Sequence, residues 1–476
     1  MIPRTLAWIA QVTGGQLHGA KPELHVDSVA IDTRALPQGG RAMFVALKGE
    51  NFDGHDHVAA AKAGGCIGVL VSRRVDADLP QVLVDDTERA LAEIAAAMQC
   101  ERASGHRTKI LAITGSNGKT SVKSMLLSIL DRCGKAYANP GNRNNEIGLP
   151  LAVIDAPEDA DFAIYEMGAG KPGDIAYLTA IARPDVALVN NIASAHLERL
   201  GNLLGVADTK AAIYDALPTD GIAVINADEA FAPYFIERAA GRRVLRFGLE
   251  SSAEIGARDM QIDSDRTRFT LTAPEGQVSV TLSMPGRHNL RNALAAAGMA
   301  FAAGASLQQV RDGLDAVQPV AGRQVSHRLR SGAVLIDDSY NANPGSLEAA
   351  IESLAAATSN KDGTEAWLVL GDMRELGAEE VALHLQAGQR AKRAGIAQLF
   401  AFGPLSAAAV QGFGEGARHF ASHSELVDAL LAELGVGTQI GTRVLVKGSR
   451  GSAMDRIVTQ LLQHDARNMK GEVDAA

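Results

Sequence analysis

The segment TGSNGKT, residues 114–120, has the composition of a loop that binds phosphate. Its glycines let several backbone N–H groups face one anion, and a helix that starts at the end of the loop adds its positive pole. Lys119 can reach the β and γ phosphates of a nucleotide, and the Thr120 hydroxyl can bind Mg²⁺. A short apolar run at 110–113 precedes the loop and an amphipathic helical pattern at 122–133 follows it. We therefore predict a phosphate-binding loop between a strand and a helix.

The loop departs at one position from the general pattern G-x-x-x-x-G-K-[ST]. Ile113 stands where the pattern has its first glycine, so the loop is a shortened variant. A glycine turn with a solvated lysine is the plainer interpretation, but it does not explain the strand and the amphipathic helix on either side. The loop alone does not distinguish a motor, a GTPase, and a kinase or ligase.

Two further polar residues follow predicted strands closely. Glu166 comes directly after the apolar run 162–165, and His196 follows the run 186–189 after a short loop. A carboxylate suits Mg²⁺, whereas a histidine is an unusual ligand for this ion. Taken alone, either residue is also compatible with a polar loop, and His196 with a hydrogen-bonded structural histidine.

Strand and helix signals alternate along most of the chain, which predicts an α/β fold with mostly parallel sheets and helices on both faces. At 260–284, apolar and polar residues alternate around a turn at 274–276, which predicts an antiparallel hairpin bordering the central sheet. An alanine-rich helix is predicted at 87–100, followed by a polar joint at 101–108. The predicted strands are 43–47, 67–71, 110–113, 162–165, 186–189, 223–225, 244–247, 334–336, 367–370, 399–402 and 444–446.

The 476 residues are enough for about three domains. The pattern of apolar runs and turn residues changes along the chain. These changes predict a small α/β domain at 1–83, a central domain with the phosphate loop at 84–316, and another doubly wound α/β domain at 317–476. In this last domain each predicted strand is followed by Asp, Gly or Lys, so its site is expected at the carboxyl ends of the strands.

The composition excludes several classes of protein. Lys and Arg number 46 and Asp and Glu 55, which gives a net charge of −9, so neither a nucleic acid nor an anionic membrane is expected as the main partner. No window approaches 18 uninterrupted apolar residues, so we expect no membrane span and no signal peptide. The three cysteines form no C-x-x-C pair, which fits a reducing cytoplasm. The charge balance and the lack of a heptad seam favour a monomer.

The segment TGSNGKTS is similar to the ATP loop of the Mur ligases, the ATP-dependent amide-bond ligases of peptidoglycan precursor synthesis. Further segments resemble this family along the whole chain, and two of them, DDSYNANPGS and LGDMRELG, are typical of members that add a dipeptide. The segments are DTR (32–34), FVALKGENFDGHD (44–56), GNRNNEIGLPL (141–151), YEMGA (165–169), NNIASAHLE (190–198), PGRHNLRNALAA (285–296), DDSYNANPGS (337–346), LGDMRELG (370–377) and VKGSRGSAMD (446–455).

The resemblance implies a three-domain Mur ligase architecture. Its parts are a UDP-sugar-binding N-terminal domain, a central P-loop domain with a parallel sheet, and a C-terminal Rossmann-like domain that closes on ATP and binds the amino substrate. The implied reaction starts when ATP phosphorylates the terminal carboxylate of UDP-N-acetylmuramoyl-tripeptide, and the amine of D-alanyl-D-alanine then attacks the acyl phosphate. A carboxylate is a poor electrophile at neutral pH, so catalysis is mostly the positioning and neutralising of crowded negative charge.

The resemblance also implies roles for residues that match family motifs. The matched catalytic positions are Lys119, Glu166, His196 and Lys210, and the matched Mg²⁺ ligands are Thr120, Glu166, His196 and Lys210. The matched ATP contacts are Thr114, Gly115, Ser116, Asn117, Gly118, Lys119, Thr120, Ser121, Asn292, Arg323 and Asp337. The UDP-sugar contacts are Thr33, Arg34, Asn51, His55, Asn142 and Asn145, and those to D-alanyl-D-alanine are Asn341 and Asn343, which as asparagines near a proline are also turn formers.

Lys210, in the segment VADTKAAI, matches a lysine that CO₂ carbamylates in these ligases. A carbamate turns a cation into an anion that can hold Mg²⁺, and it forms only from a partly neutral amine, which a desolvated site favours. Relatives commonly have an acidic residue two places later, and here that residue is Ala212. A solvated helix lysine is the alternative interpretation.

The nearest alternatives are other ligases of the same superfamily. The uridine-nucleotide domain at 1–83 argues against a folylpolyglutamate synthase, and DDSYNANPGS argues against a ligase that adds a single amino acid, because those carry a DYAHxP-like segment. An ATP-binding regulatory protein is an alternative of a different class. A pure binder needs no metal-centred set of residues, so the presence of all the matched catalytic and metal positions favours an enzyme.

Overall fold

The chain forms three main β-sheets in succession, each flanked by helices. A computed structural model describes residues 1, 3–19, 21–37, 39–104, 108–194, 197–358, 364–435 and 441–473. Within these ranges, no helix combines the length and the apolar character needed to cross a membrane. The strands of the three main sheets fall within the predicted ranges 1–83, 84–316 and 317–476, while the exact borders stay a prediction.

The N-terminal part is a five-stranded sheet in the order β2-β7-β6-β5-β4, in which only β2 runs antiparallel to its neighbour, and β1 pairs with β3 separately. The predicted helix at 87–100 continues to Ser104, because the buried Arg102 donates hydrogen bonds to the carbonyls of Val153 and Ala156. The elements are β1 (Arg4–Thr5), α1 (Leu6–Val12), β2 (Gln16–His18), β3 (His25–Val26), β4 (Ser28–Ala30), a 3₁₀ turn (Thr33–Ala35), β5 (Ala42–Val45), a 3₁₀ turn (Gly54–His57), α2 (Val58–Ala63), β6 (Gly68–Val71), β7 (Gln81–Leu83) and α3 (Thr87–Ser104).

The central part is a six-stranded, fully parallel sheet in the order β13-β12-β11-β8-β10-β9. The chain leaves β8 for one side of the sheet and later crosses to the other, so a crevice forms where the carboxyl ends of β8, β10 and β11 meet. The elements are β8 (Lys109–Thr114), α4 (Lys119–Leu130), β9 (Ala136–Ala138), α5 (Gly148–Asp155), β10 (Phe162–Glu166), α6 (Asp174–Ala182), β11 (Val186–Val189), α7 (Leu197–Leu200), α8 (Leu203–Asp215), β12 (Ile222–Asn226), α9 (Ala232–Arg238), β13 (Arg243–Phe247), β14 (Gly256–Ile262), β15 (Thr267–Ala273), β16 (Gly276–Leu282), α10 (Arg287–Ala303) and α11 (Leu307–Ala316).

The hairpin predicted at 260–284 is part of a separate three-stranded antiparallel sheet, β14-β15-β16. Its first strand begins at Gly256, and one isolated bridge from Phe247 to Ile255 links it to the central sheet. Helices α4 and α10 pack on one face of the central sheet through residues such as Met125, Ile129 and Leu294. Helices α5, α6 and α8 pack on the other face through residues such as Val153, Leu178 and Ala207. Both faces of the sheet are therefore covered, as a parallel sheet requires.

The C-terminal part is a six-stranded sheet in the order β17-β18-β22-β19-β20-β21, parallel except for the edge strand β17. The prediction of an α/β fold with parallel sheets is confirmed. The elements are β17 (Val325–Arg328), β18 (Val334–Asp338), α12 (Pro344–Ala356), β19 (Ala366–Gly371), a 3₁₀ turn (Gly377–Glu379), α13 (Glu380–Arg393), β20 (Gln398–Phe402), α14 (Ala407–Phe413), β21 (Ala417–Phe420), α15 (His423–Gly435), β22 (Arg443–Lys447), a 3₁₀ turn (Arg450–Ser452) and α16 (Asp455–Val473).

Candidate active site

A cavity of about 880 Å³ lies where the carboxyl ends of β8, β10 and β11 face the C-terminal sheet. Its volume is in the usual range for a site that binds a small molecule. Most of the residues predicted for ATP and the muramyl peptide come together here. The lining includes 116–121, Asn142, Asn144, Asn145, Glu166, Asn190, Asn191, Asn292, Arg323, Asp338, Asn341, Asn343 and Lys447.

Two asparagines that follow β11 hold the backbone of the phosphate loop in place. The backbone N–H of Ser116 donates to the carbonyl oxygen of Asn191 at 2.9 Å, and that of Asn117 donates to the Asn191 side-chain oxygen at 2.8 Å. Asn190 donates its side-chain N–H to the Asn117 carbonyl at 2.9 Å. Thr114 lies beneath the loop and donates its hydroxyl to the Met167 carbonyl at 2.9 Å. Hydrogen bonds within the protein therefore set the shape of the loop.

Gly118, where α4 begins, has a φ of +76° and almost no room for a side chain. A Cβ at this position would lie 2.4 Å from the Asn292 side-chain oxygen and 2.7 Å from the Asn190 side-chain nitrogen. Asn292 on α10 is buried against the loop and accepts a hydrogen bond from Asn190 at 3.0 Å. The resulting contact between α10 and the loop requires a glycine.

Gly118→Ala is expected to weaken ATP binding by at least about tenfold, because the new methyl group pushes the loop away from Asn190 and Asn292. Gly241→Ala is the matched control, since Gly241 has a φ of +82° but no atom within 4 Å of the added Cβ. Isothermal titration with ATP measures both variants. Equal affinity in Gly118→Ala and Gly241→Ala would show that the close contact is unimportant.

Lys119 is the first residue of α4 and folds back over the loop. Its ammonium donates to the carbonyl oxygens of Gly115 at 2.7 Å and Ser116 at 3.4 Å. Burial lowers the pKa of Lys119, and the nearby carboxylate of Glu166 opposes this shift. The side chain therefore lies at the place where phosphate oxygens can replace the two carbonyls.

Thr120 and Glu166 are in direct contact. The Thr120 hydroxyl donates to Glu166 Oε2 at 2.9 Å and accepts a hydrogen bond from the guanidinium of Arg323, also at 2.9 Å. Burial works to raise the pKa of Glu166, but the charges of Lys123 and Lys119 outweigh it and hold this pKa below its ordinary value. The carboxylate is therefore ionised at neutral pH.

The Thr120 and Glu166 oxygens fit an Mg²⁺ ion, because neighbouring ligands in its octahedral shell lie roughly 2.9 Å apart. In the part of the chain that the structure describes, no three His, Cys, Asp or Glu side chains lie close enough to hold a metal ion. Water and phosphate oxygens would then complete the shell, as is usual for Mg²⁺. His196, predicted as a further ligand, lies outside the described residues.

Lys210 is buried on α8. Burial and the charge of Lys119 together lower the pKa of its ammonium to about 7, although Asp174 opposes the shift. Lys210 is thus close enough to Lys119 to act on it electrostatically, although its side chain does not line the cavity. The alternative of a solvated helix lysine does not hold, because only 2% of this residue is exposed.

Asp337, predicted to reach the nucleotide, does not line the cavity, whereas its neighbour Asp338 does. Successive side chains of a strand point to opposite faces, and β18 directs Asp338 into the site. Asp338 forms a buried ion pair with Lys447 at 2.7 Å. The Asp337 carboxylate instead accepts hydrogen bonds from the backbone and hydroxyl of Ser339 at 3.1 and 2.5 Å.

The UDP-sugar residues predicted in the N-terminal part do not line this cavity. Arg34 is exposed and pairs with Asp32, beside Thr33, while Asn51 lies on the surface. His55 is buried, and both of its ring nitrogens are engaged, because Nδ1 contacts Asp53 at 2.5 Å and Nε2 accepts the Ser72 N–H at 2.9 Å. This histidine holds its own turn in place.

Of the remaining predicted residues, Asn145 accepts the Gly148 N–H at 2.9 Å, and Asn142 lines the cavity beside it. Asn343 is the N-cap of α12 and donates to the side-chain oxygen of Asn117 at 2.8 Å. Asn343 is thus a helix cap, where the sequence suggested a turn former as the alternative, and it also ties the C-terminal part to the phosphate loop. Asn341 contacts Lys447 through its carbonyl oxygen at 3.1 Å.

Several residues of the site were not predicted from the sequence. Asn144 donates to Glu166 Oε1 at 3.0 Å, and Lys123 lies 3.1 Å from Glu166 Oε2. Asn190 and Asn191 shape the loop, and Asp338 lies in the cavity. Lys123 could have been identified from the sequence, because it lies four residues after Lys119 on the apolar face of a helix, where a charged side chain needs a partner.

Two protein-family models match the chain. The one described as Mur ligase middle domain matches residues 113–300, and the one described as Mur ligase, glutamate ligase domain matches residues 322–450. The chain is also 42% identical to the UDP-N-acetylmuramoyl-tripeptide–D-alanyl-D-alanine ligase of Escherichia coli (strain K12), over 98% of this chain and 99% of that relative. The similarity thus extends over nearly the full length of both chains.

Solved structures show the same architecture. A crystal structure of MurF from Acinetobacter baumannii superimposes with a TM-score of 0.90 at 31% identity, covering 97% of this chain and 99% of that chain. The MurF ligase from Thermotoga maritima in complex with ADP superimposes with a TM-score of 0.80 at 26% identity, covering 93% and 98% of the two chains.

Proposed function

The chain belongs to the Mur ligase family, and from this membership we propose that it is the ATP-dependent ligase that adds D-alanyl-D-alanine to UDP-N-acetylmuramoyl-tripeptide in peptidoglycan precursor synthesis. The observation that carries this proposal is the full-length match to a ligase of that specificity. The placement of Lys119 and Thr120 against Glu166 at the carboxyl ends of a parallel sheet supplies the chemistry that such a ligase needs.

The reaction needs two displacements. A carboxylate oxygen of the tripeptide attacks the γ-phosphorus of ATP and ADP leaves, and the amine of D-alanyl-D-alanine then attacks the acyl carbon and phosphate leaves. Negative charge is crowded in both steps, so the protein acts mainly by positioning and by neutralising charge. Lys119 neutralises part of this charge when its ammonium leaves the Gly115 carbonyl and binds phosphate oxygens instead.

Thr120 and Glu166 are the described residues that would hold Mg²⁺, with His196 and a carbamylated Lys210 as further proposed ligands. Bound there, Mg²⁺ neutralises the phosphate oxygens of ATP. Asn144 and Lys123 hold the Glu166 carboxylate in place. This arrangement keeps the carboxylate ionised and oriented before the metal binds.

The C-terminal part closes the site over the nucleotide. Arg323 reaches Thr120, and Asn343 reaches Asn117, so two hydrogen bonds already join this part to the phosphate loop. Arg323 also lies over the Tyr340 ring at 4.4 Å, which fixes its direction. A closed site excludes the water that would hydrolyse the acyl phosphate.

The substrate contacts follow the family motifs. We assign the uridine diphosphate to Thr33, Arg34 and Asn51 in the N-terminal part, where the exposed guanidinium of Arg34 would leave Asp32 and bind the diphosphate. The predicted His55 supports this region by holding its own turn, because both of its ring nitrogens are engaged. Asn142 and Asn145 face the sugar or the peptide, and Asn341 and Asn343 lie near D-alanyl-D-alanine. We assign the nucleotide contacts to 114–121, Asn292 and Arg323, and to Asp338 in place of the predicted Asp337, because Asp338 is the one that lines the cavity. We place the reaction in the cytoplasm and propose a monomer.

Carbamylation of Lys210 should respond to pH in a way that follows from its lowered pKa. With a pKa of about 7, the neutral and reactive amine rises from about a tenth at pH 6 to about nine-tenths at pH 8 and then levels off. An ordinary lysine would keep gaining reactivity up to about pH 10. The measurement is the recovery of ligation after CO₂ is removed and then restored at one dissolved concentration across pH 6–10.

Lys210→Arg is the control for that experiment, because a guanidinium does not form the carbamate. Its activity should be low and independent of CO₂. Wild-type activity that does not change when CO₂ is removed would contradict carbamylation and leave the rest of the proposed function standing.

The function itself is tested by phosphate release from ATP and Mg²⁺. The purified protein is given UDP-N-acetylmuramoyl-tripeptide and D-alanyl-D-alanine together, and then each is omitted. Release that requires both is the expected result. Release with a single amino acid in place of the dipeptide would indicate a neighbouring ligase, and no release with any acceptor would favour a regulatory protein.

A further inference from the structure

Lys123 is the one charged residue among the buried side chains of α4. It lies four residues after Lys119, which places it one turn further along the same face of the helix. Only 7% of the residue is exposed. A buried ammonium is costly unless it is paired and hydrogen-bonded, so the partners of Lys123 indicate its role.

The three N–H donors of Lys123 have three acceptors around them. These are the carbonyl oxygen of Asn139 at 2.9 Å, the carbonyl oxygen of Gly141 at 3.1 Å, and Glu166 Oε2 at 3.1 Å. An ammonium group has three donors and no acceptor. Lys123 therefore has no donor left for a phosphate or a substrate, unlike Lys119, which lies at the mouth of the loop.

The two carbonyls belong to the segment 139–145, which carries Asn142 and Asn145 into the cavity. The same segment is fastened to the end of β10, because the Asn139 side chain accepts the Glu166 N–H at 2.9 Å and donates to the Glu166 carbonyl at 3.1 Å. Lys123 thus joins the helix of the phosphate loop, the Glu166 carboxylate and the segment 139–145 at one point.

We propose that Lys123 is a positioning residue for ligation, which fixes the segment 139–145 against the phosphate loop so that the peptide carboxylate and the γ-phosphate of ATP line up. This inference rests on the proposed function, because only a ligase must align these two groups. A displacement of reacting groups by about 1 Å costs about 100-fold in rate. The nucleotide contacts of the loop do not depend on Lys123. Replacing Lys123 should therefore lower the affinity for the peptide substrate more than the affinity for ATP.

Lys123→Met tests the proposal, because methionine has a similar volume and removes all three hydrogen bonds. We expect kcat to fall about 100-fold and the affinity for UDP-N-acetylmuramoyl-tripeptide, titrated without ATP, to fall about tenfold. The affinity for ATP, titrated without Mg²⁺, should change less than about threefold. Lys135→Met is the control and should change none of the three, because Lys135 is half-exposed and pairs with Asp159 at the surface beyond α4.

Lys123→Arg provides the same test if the methionine variant does not fold, which thermal melting will show. It keeps a positive charge beside Glu166 but cannot place three donors where the ammonium has them, so its peptide affinity should fall while its ATP affinity stays. Equal losses for both ligands, or a folded Lys123→Met enzyme within about threefold of the wild type in kcat and peptide affinity, would overturn the proposal. Failure of the wild-type protein to ligate would instead contradict the proposed function.

Discussion

Lys119→Met is expected to lower the rate of ligation by about a thousandfold, since it removes the cation that the proposed function assigns to the transferred phosphate. Groups that neutralise charge during phosphoryl transfer contribute about 10³ or more to the rate. The ammonium is held within the loop by the Gly115 carbonyl at 2.7 Å, so it has to move little to reach phosphate oxygens. Burial lowers the pKa of Lys119, and phosphate oxygens would act in the opposite direction by favouring the charged form.

Steady-state phosphate release with both substrates measures this effect, and titration with ATP shows how much of it is lost binding. Lys62→Met is the control, because Lys62 pairs with Asp78 on the N-terminal part and is not in the cavity. Lys119→Arg should also be slow, because the larger guanidinium does not fit where the ammonium lies. A kcat within about tenfold of the wild type in Lys119→Met would mean that Lys119 is not the phosphate-neutralising group.

Glu166→Gln is expected to lower kcat by about 100- to 1000-fold and to raise the Mg²⁺ concentration needed for half-maximal rate. The amide keeps the shape of the carboxylate but not its charge. The side chain is buried against Lys123, Thr120 and Asn144, so the change also leaves the Lys123 ammonium without its counter-charge. We therefore expect a lower melting temperature even without metal.

Two measurements separate these effects: the dependence of kcat on Mg²⁺, and thermal melting in metal-free buffer. Glu229→Gln is a matched control, because Glu229 is a carboxylate at the rim of the same cavity that accepts the Ile192 N–H at 2.9 Å, away from Thr120. Its Mg²⁺ requirement should match that of the wild type. An unchanged Mg²⁺ requirement in Glu166→Gln would remove Glu166 from the proposed metal ligands.

The central strands and the phosphate loop were predictable because their signals are local. Strands β8, β10 and β11 are apolar runs followed by polar residues, and each lies within one residue of its predicted bounds. The end of α4 was not predictable in the same way, since the apolar pattern continues to Cys133 but the helix ends at Leu130. Gly134, the glycine that directly follows this pattern and predicts the end of the helix, lies against Asp161, where an added Cβ would be 2.5 Å from the carboxylate. A contact with a distant part of the chain therefore also accounts for this glycine.

The site was predictable where a local motif marks it, as at 114–120, or where a family motif does, as at Asn292 and Arg323. The two asparagines that shape the phosphate loop lie more than 70 residues from it in sequence, and no local pattern links them to Asn117. The choice between Asp337 and Asp338 depended on which face of β18 meets the cavity, and this strand has buried and half-buried residues on both faces. Only the family resemblance connected the N-terminal part with the central site.

Two cations beside the phosphate loop have partners within the protein: Lys119 has the Gly115 carbonyl, and Arg323 has the Thr120 hydroxyl. When ATP binds, its phosphate oxygens therefore replace acceptors within the protein, and the cations that they meet are not solvated side chains surrounded by salt ions. Charges inside a protein are screened much less than exposed ones, so nucleotide affinity should depend only weakly on ionic strength. In a cell whose salt content rises and falls with its osmotic state, the fraction of this protein that has ATP bound would depend on the ATP concentration and not on the salt concentration.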